Sequence, residues 1–540
     1  MRRPGLAALA LFAATAAIAA ALPAGAGDLG RIDFPTSGRA DARERFVRGA
    51  LLLHSFEFED AAEEFREAQK LEPGFAMAYW GEAMTCNHPL WMERDAEAAR
   101  KILQRLAPTA PERLAKAPTR REKLYLEAVE TLYDKGDKAE RDRVYAEAMR
   151  RLHEEFPDDE NAAAFYALSL LGACEGKRDV AAYMKGAAVA EEVFAKNPLH
   201  PGAVHYLIHS YDDPVHAPLG MRAARVYAKI APAAGHALHM PSHIFFASGM
   251  WEEAAASNEA AWKASLDRAD RKKLGADHHN YHSMFWLEYA YLQLGRYADA
   301  RRVLAAMEED AGKSGSDRAK SHRAMMRAAY VVETRRFNSD IVRSLSKEDG
   351  GRGVALFADG LAAIGAGEPD RAGKAAASIG KEPAGDHHGE AAQPYAMGRP
   401  SAASSDAIMK KELEALIASA SGDKEHALAL AKEAAEAEDA MTFEYGPPAV
   451  AKPAHELFGE LLLSAGRAGD AVKEFELSLA HAPERALSLL GLARAAAKSG
   501  DSAASEEAYR RLASVWRQAD KDLPELAEVR KTPAPVAATR

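Results

Sequence analysis

The sequence contains very little cysteine, with only Cys86 and Cys174 among 540 residues. Two cysteines are too few for a disulfide-rich scaffold, for a four-cysteine zinc site or for an iron–sulfur cluster. These three classes of protein are therefore excluded.

An excess of positive charge is also missing. The chain has 80 acidic and 70 basic residues, which gives a formal net charge of −10 at pH 7. A nucleic-acid-binding protein normally presents a basic face, so we expect no nucleic-acid partner. A hydrophobic fraction of 48% excludes general disorder and is sufficient for a large buried core.

Long apolar runs are restricted to the N-terminus. Arg2 and Arg3 precede an almost unbroken apolar run over 6–22, and small residues at 24–26 follow it. This pattern predicts a cleaved signal peptide over 1–27. A membrane anchor is the alternative, since about 17 apolar residues is the lower limit for a membrane-spanning helix. With the signal peptide removed, we expect no membrane insertion and a periplasmic or secreted protein.

Export would determine whether the two cysteines can form a disulfide. An exported protein meets an oxidising compartment, in which Cys86 and Cys174 could form a disulfide. Both cysteines lie in helical patterns, where free buried thiols would look the same. The sequence leaves their pairing open.

The rest of the chain lacks runs of β-branched residues and is rich in residues that favour helices. Glycine, small residues, phenylalanine and proline recur with one spacing near both ends of the chain. The two sets are Gly49, Ala61, Phe65, Ala68 and Pro73, and Gly459, Ala471, Phe475, Ser478 and Pro483. The small residues allow paired helices to approach closely, the phenylalanine fills the space between repeats, and the proline stops the second helix.

This spacing is typical of the tetratricopeptide repeat (TPR), a helix–turn–helix unit of about 34 residues. We predict an all-α protein, a right-handed α-solenoid of such repeats without a β-sheet. The predicted organisation is an N-terminal and central array over 40–380, a loop over 381–404, a C-terminal array over 405–517 and a disordered tail over 518–540.

The chain resembles the TPR superfamily over most of residues 43–515. The stretches Leu51–Phe56 and Ala76–Ala83 resemble those of a subgroup of exported bacterial TPR proteins that has no established activity. The resemblance implies a superhelix whose concave groove binds a peptide or a partner protein. It implies no particular partner, because TPR arrays serve many functions.

Histidine is concentrated in the centre of the chain. The whole chain has 19 histidines, which corresponds to about three in the interval 200–282, and that interval contains ten. Their positions are His200, His205, His209, His216, His236, His239, His243, His278, His279 and His282.

Six of these histidines form three pairs with four-residue spacing, which on a helix places both imidazoles on one face. The pairs are His205 with His209, His239 with His243, and His278 with His282. None has glutamate in the second position, so a zinc protease of the HExxH type is excluded. The TPR resemblance implies that the pairs lie on the first helices of repeats, which line the concave groove.

These pairs predict a metal site. We expect its ligands to be His205, His209, His239, His243, His278 and His282, with His236, His279, Asp212 and Asp277 at its edge. Imidazole clusters suit zinc, copper, iron or nickel, and the sequence does not choose among these metals. The alternative is that the histidines are structural and hydrogen-bond to carbonyl groups inside the repeats.

Two functions are compatible with these patterns. The first is an exported binding scaffold that holds a peptide or a protein in its concave groove. The second is a metalloprotein, either a metal carrier or a metal-dependent enzyme, that uses the histidine cluster. The sequence contains no serine-hydrolase elbow, phosphate-binding loop or dinucleotide fingerprint, and it leaves open whether the protein is an enzyme.

Overall fold

The computed structural model of the chain describes residues 28–175, 178–381, 402–442 and 445–530. The signal peptide expected over 1–27, most of the loop expected over 381–404 and residues 531–540 lie outside the described residues. Within them the chain is an α-solenoid, in which each helix packs against its neighbours in sequence.

Within residues 28–196, as far as the structure describes them, nine helices precede the histidine-rich segment. They are α1 (Ala40–His54), α2 (Phe58–Leu71), α3 (Ala76–Met84), α4 (Ala96–Leu106), α5 (Ala110–Lys116), α6 (Arg120–Leu132), α7 (Lys138–Glu155), α8 (Glu160–Gly172) and α9 (Val180–Lys196).

The central helices carry the histidine-rich segment and continue beyond it. They are α10 (Pro201–Tyr211), α11 (Ala217–Ile230), α12 (Gly235–His239), α13 (Pro241–Ala247), α14 (Trp251–Lys272), α15 (Tyr281–Gln293), α16 (Tyr297–Ser314), α17 (Asp317–Thr334), α18 (Asp340–Ser344), α19 (Gly353–Gly365) and α20 (Pro369–Ser378). A short 3₁₀ turn over Ala276–His278 precedes α15, and a π-helical turn over Leu345–Asp349 follows α18.

The C-terminal helices complete the array. They are α21 (Ala402–Ala420), α22 (Lys424–Asp439), α23 (Ala454–Ser464), α24 (Ala468–His481), α25 (Ala486–Ser499), α26 (Ser502–Val515) and α27 (Leu526–Val529), with a 3₁₀ turn over Trp516–Gln518 after α26.

One small departure from an all-helical chain lies after α3. Strand β1 (Asn87–His88) pairs antiparallel with β2 (Glu93–Arg94) around a 3₁₀ turn over Pro89–Trp91. The expectation of no sheet is wrong at this one point. The proline cannot continue a helix, and Met92 has the left-handed φ of 61° that turns the chain back.

The repeat spacing corresponds to one packing arrangement at each end of the array. Phe65 on α2 is fully buried between Gly49 on α1 and Gly81 on α3. A Cβ atom on Gly49 would lie 2.8 Å from the Phe65 ring, and one on Gly81 would overlap it. Glycine is therefore needed on both sides of the phenylalanine because no side chain fits there.

The same arrangement recurs near the C-terminus. Phe475 on α24 is fully buried between Gly459 on α23 and Gly491 on α25. A Cβ atom on Gly459 would lie 3.0 Å from the Phe475 ring, and one on Gly491 would overlap it. This repeated contact between two first helices and the second helix between them is the packing that the repeat spacing predicts.

Contacts between distant helices close the superhelix on itself. On α2, Asp60 accepts hydrogen bonds from Arg268 Nε at 3.2 Å and from Lys272 Nζ at 2.6 Å, both on α14. At the start of α14, Trp251 Nε1 donates to the carbonyl oxygen of Glu484 at 2.9 Å, just before α25. Both ends of the array are therefore tied to α14.

The C-terminal segment up to residue 530 packs on the array. The backbone N–H of Asp520 donates to the Gly295 carbonyl oxygen at 3.0 Å, and Arg494 Nη2 lies 2.6 Å from Glu528 Oε2. Val529 is buried against the last repeat. The first part of the tail expected over 518–540 is thus packed on the array, because its apolar residues cover the end of the core.

Candidate metal centre

Helix α10 presents two histidines on one buried face. Pro201 is the first residue of the helix, a position at which a backbone N–H group has no partner within the helix and proline is therefore tolerated. His200 Nδ1 caps the helix by accepting a hydrogen bond from the Ala203 N–H at 3.2 Å. His205 and His209 follow with the four-residue spacing, and their Nε2 atoms lie 3.1 Å apart. Both side chains are at most 2% exposed.

His236 on α12 joins this pair. Its Nε2 lies 3.1 Å from Nε2 of His205, and the two ring centres are 4.9 Å apart. Each of the three rings offers one nitrogen, and these three nitrogens lie within 4.8 Å of one another. We call His205, His209 and His236 the first triad. The spacing of the histidines in the sequence predicts His236 only at the edge of the site.

His239, His243 and His282 form a second triad with the same property. The Nε2 atoms of His239 and His243 lie 3.1 Å apart although Pro241 begins a new helix between them. Met240 keeps helical backbone angles, with φ of −54° and ψ of −35°, so the four-residue geometry is preserved. His282, near the start of α15, has its ring centre 4.7 Å from that of His239.

Two of the paired imidazoles donate from Nδ1 to uncharged oxygens. His205 Nδ1 bonds the backbone carbonyl of His54 at 2.8 Å, which is free because His54 is the last residue of α1. His239 Nδ1 bonds Asn258 Oδ1 at 2.6 Å, and Asn258 Nδ2 in turn donates to the Ala254 carbonyl at 2.8 Å. Since a carbonyl oxygen only accepts, Nδ1 carries the proton and Nε2 keeps a lone pair.

Asp212 serves the other two paired imidazoles. Its Oδ2 lies 3.1 Å from His243 Nδ1 and 3.4 Å from His209 Nδ1, and its Oδ1 accepts from Arg178 Nη1 at 2.7 Å. Burial alone would raise the pKa of this carboxyl, but Arg178 and the two imidazoles outweigh burial and hold the pKa below its usual range. The ionised carboxylate thus orients one histidine of each triad.

The Nε2 lone pairs of each pair therefore face each other. Atoms 3.1 Å apart would normally share a proton, but the ring protons are committed to Nδ1. A second ring proton is disfavoured, because burial holds the pKa of His205 and His239 well below its usual value and lowers that of His243 to about 4. A cation stabilises such lone pairs, and a tetrahedral ion with ligands at about 2.0–2.1 Å would hold them about 3.3 Å apart.

Aromatic side chains from three parts of the chain cover the triads. The ring of Phe56, after α1, has its centre 4.3 Å from that of His205. The rings of Trp286 and Tyr445 both have their centres 4.7 Å from that of His243. The inner face of the central repeats is therefore filled by imidazoles and aromatic rings, and it is not an open groove.

His278 lies apart from both triads. It belongs to the 3₁₀ turn before α15, and its side chain is 40% exposed, with Nδ1 4.0 Å from Glu59 Oε2. Helix α15 begins only at Tyr281, because the Asn280 side chain caps it by accepting from the Ser283 N–H at 3.0 Å. The four-residue spacing of His278 and His282 therefore does not lie on one helix.

His279 and Asp277 are also held elsewhere. His279 Nδ1 lies 2.6 Å from Asp310 Oδ2, and Asp277 Oδ1 accepts from the Ser316 hydroxyl at 2.6 Å. Neither residue is part of a group of possible metal ligands among the described residues.

Several partners of the triads give no local signal in the sequence. The Asn258 side chain and the His54 carbonyl bond imidazoles from distant parts of the chain, and the Arg178 guanidinium likewise bonds Asp212. A single asparagine or arginine in a helical pattern cannot be distinguished from its exposed neighbours without the fold.

A cavity of about 250 Å³ adjoins the second triad, between α13–α15 and α22–α24. Phe246, Trp251 and Tyr445 form an aromatic part of its wall, and Glu438 lies at its other side. Burial raises the pKa of Glu438 to about 7. Tyr445 also contacts His243, so one ring separates the cavity from the imidazoles.

The two cysteines are free thiols and form no disulfide. Burial raises the pKa of Cys86 to about 12 and that of Cys174 to about 11. Thiols with such pKa values are poor nucleophiles and poor metal ligands at neutral pH.

No protein-family model and no curated protein sequence matches the chain. Among solved structures, a human IFIT1 dimer with m7Gppp-AAAA is 14% identical, has a TM-score of 0.36, and the match covers 91% of this chain and 92% of that chain. Yeast Tom70 is 13% identical, with a TM-score of 0.36 and coverage of 88% and 98%. The TPR domain of P58(IPK) is 14% identical, with a TM-score of 0.24 and coverage of 86% and 99%. All three TM-scores are below 0.5, so these similarities carry no conclusion about this chain.

None of the helices described in the structure combines the length and the apolar character needed to cross a bilayer.

Proposed function

We propose that the protein is a TPR-type metalloprotein that binds a transition-metal ion at the first triad. One observation carries the proposal: His205 and His209 both direct Nδ1 at oxygen atoms and turn their Nε2 lone pairs towards each other at 3.1 Å. Metal-ligating histidines generally have such outer partners, which fix the tautomer and the ring orientation. Structural histidines need a partner, but they do not need convergent lone pairs.

The donor set narrows the class of ion. Neutral imidazoles suit zinc, copper, iron and nickel, whereas calcium and magnesium prefer oxygen ligands. Three imidazoles with one further position are the donor set of catalytic zinc sites, and they also suit a carrier. The closed aromatic cover excludes water from the ion, which favours slow release.

The proposed setting is outside the cytoplasm. Its support is the N-terminal pattern of Arg2, Arg3, the apolar run over 6–22 and the small residues at 24–26. N-terminal sequencing of the mature protein tests this part, with a first residue near 27 as the expected result. A mature chain that still begins at Met1 would refute export with cleavage.

Metal analysis of untagged protein tests the metal function. The protein is stripped with a chelator, dialysed against zinc, copper, nickel or cobalt, and analysed for metal per chain. We expect bound metal, with the strong visible absorption of four-coordinate cobalt(II) in the cobalt form. The double variant His205→Ala with His209→Ala should lose the ion of the first triad and stay helical by circular dichroism.

The matched control is His278→Ala, since His278 is a sequence-predicted ligand outside both triads. Metal content equal to that of the wild type is expected for this variant. A wild type that binds no metal under any of these conditions refutes the proposed function, and a double variant that only melts at lower temperature then favours structural histidines.

Binding of a peptide or protein partner is the second candidate function, and the cavity beside Tyr445 supports it. The aromatic wall and the carboxyl of Glu438 suit one apolar or cationic side chain of a partner. The groove over the central repeats is a weaker candidate because the protein's own side chains fill it.

Selection from a peptide display library tests this second function. Peptides that bind the wild type through the cavity should fail to bind Ala482→Trp, since Ala482 lines the cavity and an indole there would fill it. Leu477→Ala, at an exposed position on α24, the helix that ends just before Ala482, serves as the control. Selected peptides that bind all three proteins equally would exclude the cavity as the binding site.

A further inference from the structure

We propose that the protein binds two transition-metal ions, one in each triad, as a dinuclear centre. The proposal rests on the metal function above and extends it to a second site. The second triad offers three imidazole nitrogens within 4.8 Å of one another, and it shares no residue with the first triad.

The second triad has its own outer partners. Asn258 Oδ1 accepts from His239 Nδ1 at 2.6 Å, and Asp212 Oδ2 accepts from His243 Nδ1 at 3.1 Å. Both Nε2 atoms then carry lone pairs, which face each other at 3.1 Å as they do in the first triad. His282 supplies the third nitrogen from α15. This set is therefore prepared for an ion in the same way as the first triad, with Asp212 common to both.

The two triads lie side by side. The ring centres of His209 and His243 are 5.3 Å apart, and those of His236 and His239 are 6.0 Å apart. Asp212 contacts one member of each triad through the same oxygen. Two ions in these positions would be neighbours, with their ligands oriented by a shared carboxylate.

A third set of possible ligands consists of His209, Asp212 and His243, whose ligand atoms also lie within 4.8 Å of one another. An ion there would bind the Nδ1 side of the rings and would replace the protons that Asp212 accepts. It would also lie beside the Arg178 guanidinium, which bonds Asp212 at 2.7 Å, and two cations would repel each other. Asp212 therefore acts as a positioning residue between two ions.

Carboxyl groups near the triads offset part of the positive charge of two metal ions. The remaining charge makes the affinities of the two ions unequal. Asp212 and Asp213 are buried carboxylates shared with Arg178, and Glu57 lies close by, with Oε1 accepting from the His236 backbone N–H at 2.8 Å. These carboxyl groups only partly offset two divalent cations. The second ion should therefore bind more weakly than the first.

Native mass spectrometry of the full-length mature protein loaded with copper(II) or zinc(II) tests the proposal. The expected result is two ions per chain, bound in two steps of different affinity. In the copper(II) form, electron paramagnetic resonance should show magnetic coupling of the two ions, either as a half-field signal or as a spin intensity well below that of two isolated copper(II) ions.

Variants assign the ions to the triads. We expect His239→Ala with His243→Ala to bind one ion instead of two, His205→Ala with His209→Ala to bind one, and His278→Ala to bind two. If a double variant does not fold, as judged by circular dichroism, Asn258→Ala is the milder replacement and should weaken only one of the two binding steps.

The outcomes separate this inference from the proposed function. One ion per chain in the wild type overturns the dinuclear centre and leaves the single-ion function intact. No ion overturns both. Two copper(II) ions that give the full spin intensity of isolated ions, or two ions retained when His239 and His243 are both replaced, also overturn the dinuclear assignment.

Discussion

Gly446 lies against the indole of Trp286 in a left-handed conformation, with φ of 96°. A Cβ atom on Gly446 would overlap the indole ring. Trp286 stacks on His243 at 4.7 Å between ring centres, and Tyr445 contacts the same imidazole. The turn before α23 and the second triad are therefore coupled through Trp286 and Tyr445.

The first prediction is that Gly446→Ala lowers the free energy of unfolding by about 1–3 kcal/mol, because the new methyl group displaces Trp286 and strains the turn. Denaturant unfolding measures the change. Gly469→Ala is the control, since a Cβ there has open space, and we expect it to change stability by at most about 0.5 kcal/mol or to stabilise slightly. Equal effects of the two variants would show that the turn does not depend on Gly446.

The second prediction concerns Asp212→Asn. The amide retains the volume, but it loses the charge that Arg178 pairs with and cannot accept at every contact that the carboxylate serves. We expect the affinity for the metal to fall about 10–100-fold, as is typical for outer partners of metal ligands. Competition with a chelator of known affinity measures this.

Asp277→Asn is the matched control for that experiment, because Asp277 bonds the hydroxyl of Ser316 and contacts neither triad. Its metal affinity should equal that of the wild type. Unchanged affinity in Asp212→Asn would mean that the imidazoles are oriented without the carboxylate.

The third prediction is a pH dependence of stability at His455. Burial alone would lower its pKa, but hydrogen bonds to Glu474 and Asp439 outweigh burial and raise the pKa to about 9. The His481 ring lies beside this ring, and the Glu438 carboxyl interacts with it electrostatically. Because the folded pKa is raised above the unfolded value near 6.5, the stabilisation is complete below pH about 6.5 and is lost as the pH rises through about 9.

Thermal or denaturant unfolding of the wild type and His455→Gln between pH 6 and pH 10 measures this dependence. The wild type should be more stable than the variant at the low end of the range, and the difference should disappear at the high end. A difference that is constant over the whole range would show that His455 stabilises the fold without its charge.

The fourth prediction concerns the repeat packing. Phe475→Ala should lower the free energy of unfolding by about 3–5 kcal/mol, because it leaves a cavity between Gly459 and Gly491 that the backbone cannot close. Leu477→Ala, two residues further on the same helix, removes a side chain that is 45% exposed and should cost at most about 0.5 kcal/mol. Denaturant midpoints of the two variants provide the measurement.

The spacing of residues in the sequence predicts contacts between side chains that lie on one helix, and it predicts the repeats themselves. The TPR spacing around Phe65 and Phe475 identifies the helical repeats because packing distances impose small residues at fixed offsets. The four-residue spacing of His205 and His209 predicts their contact because a single helix, α10, carries both. These features need no knowledge of the rest of the chain.

The spacing of residues does not predict where a helix begins. It also does not predict contacts between segments that are distant in the sequence. The spacing of His278 and His282 is the same as that of His205 and His209, but Asn280 starts α15 between them. His236 enters the first triad through its position beside His205, and sequence periodicity does not report such a contact.

The ties between α2 and α14 change how the array can unfold. In an open repeat protein each repeat contacts only its neighbours, so an end can fray while the middle stays folded. Here Asp60 and Arg268 are 208 residues apart in sequence and hydrogen-bonded, and Trp251 at the other end of α14 bonds the chain before α25. Helix α14 is thus bonded to an early repeat and to a late repeat at the same time. Unfolding of either of these repeats removes hydrogen bonds that stabilise α14 in the centre of the array. The array should melt as one cooperative unit.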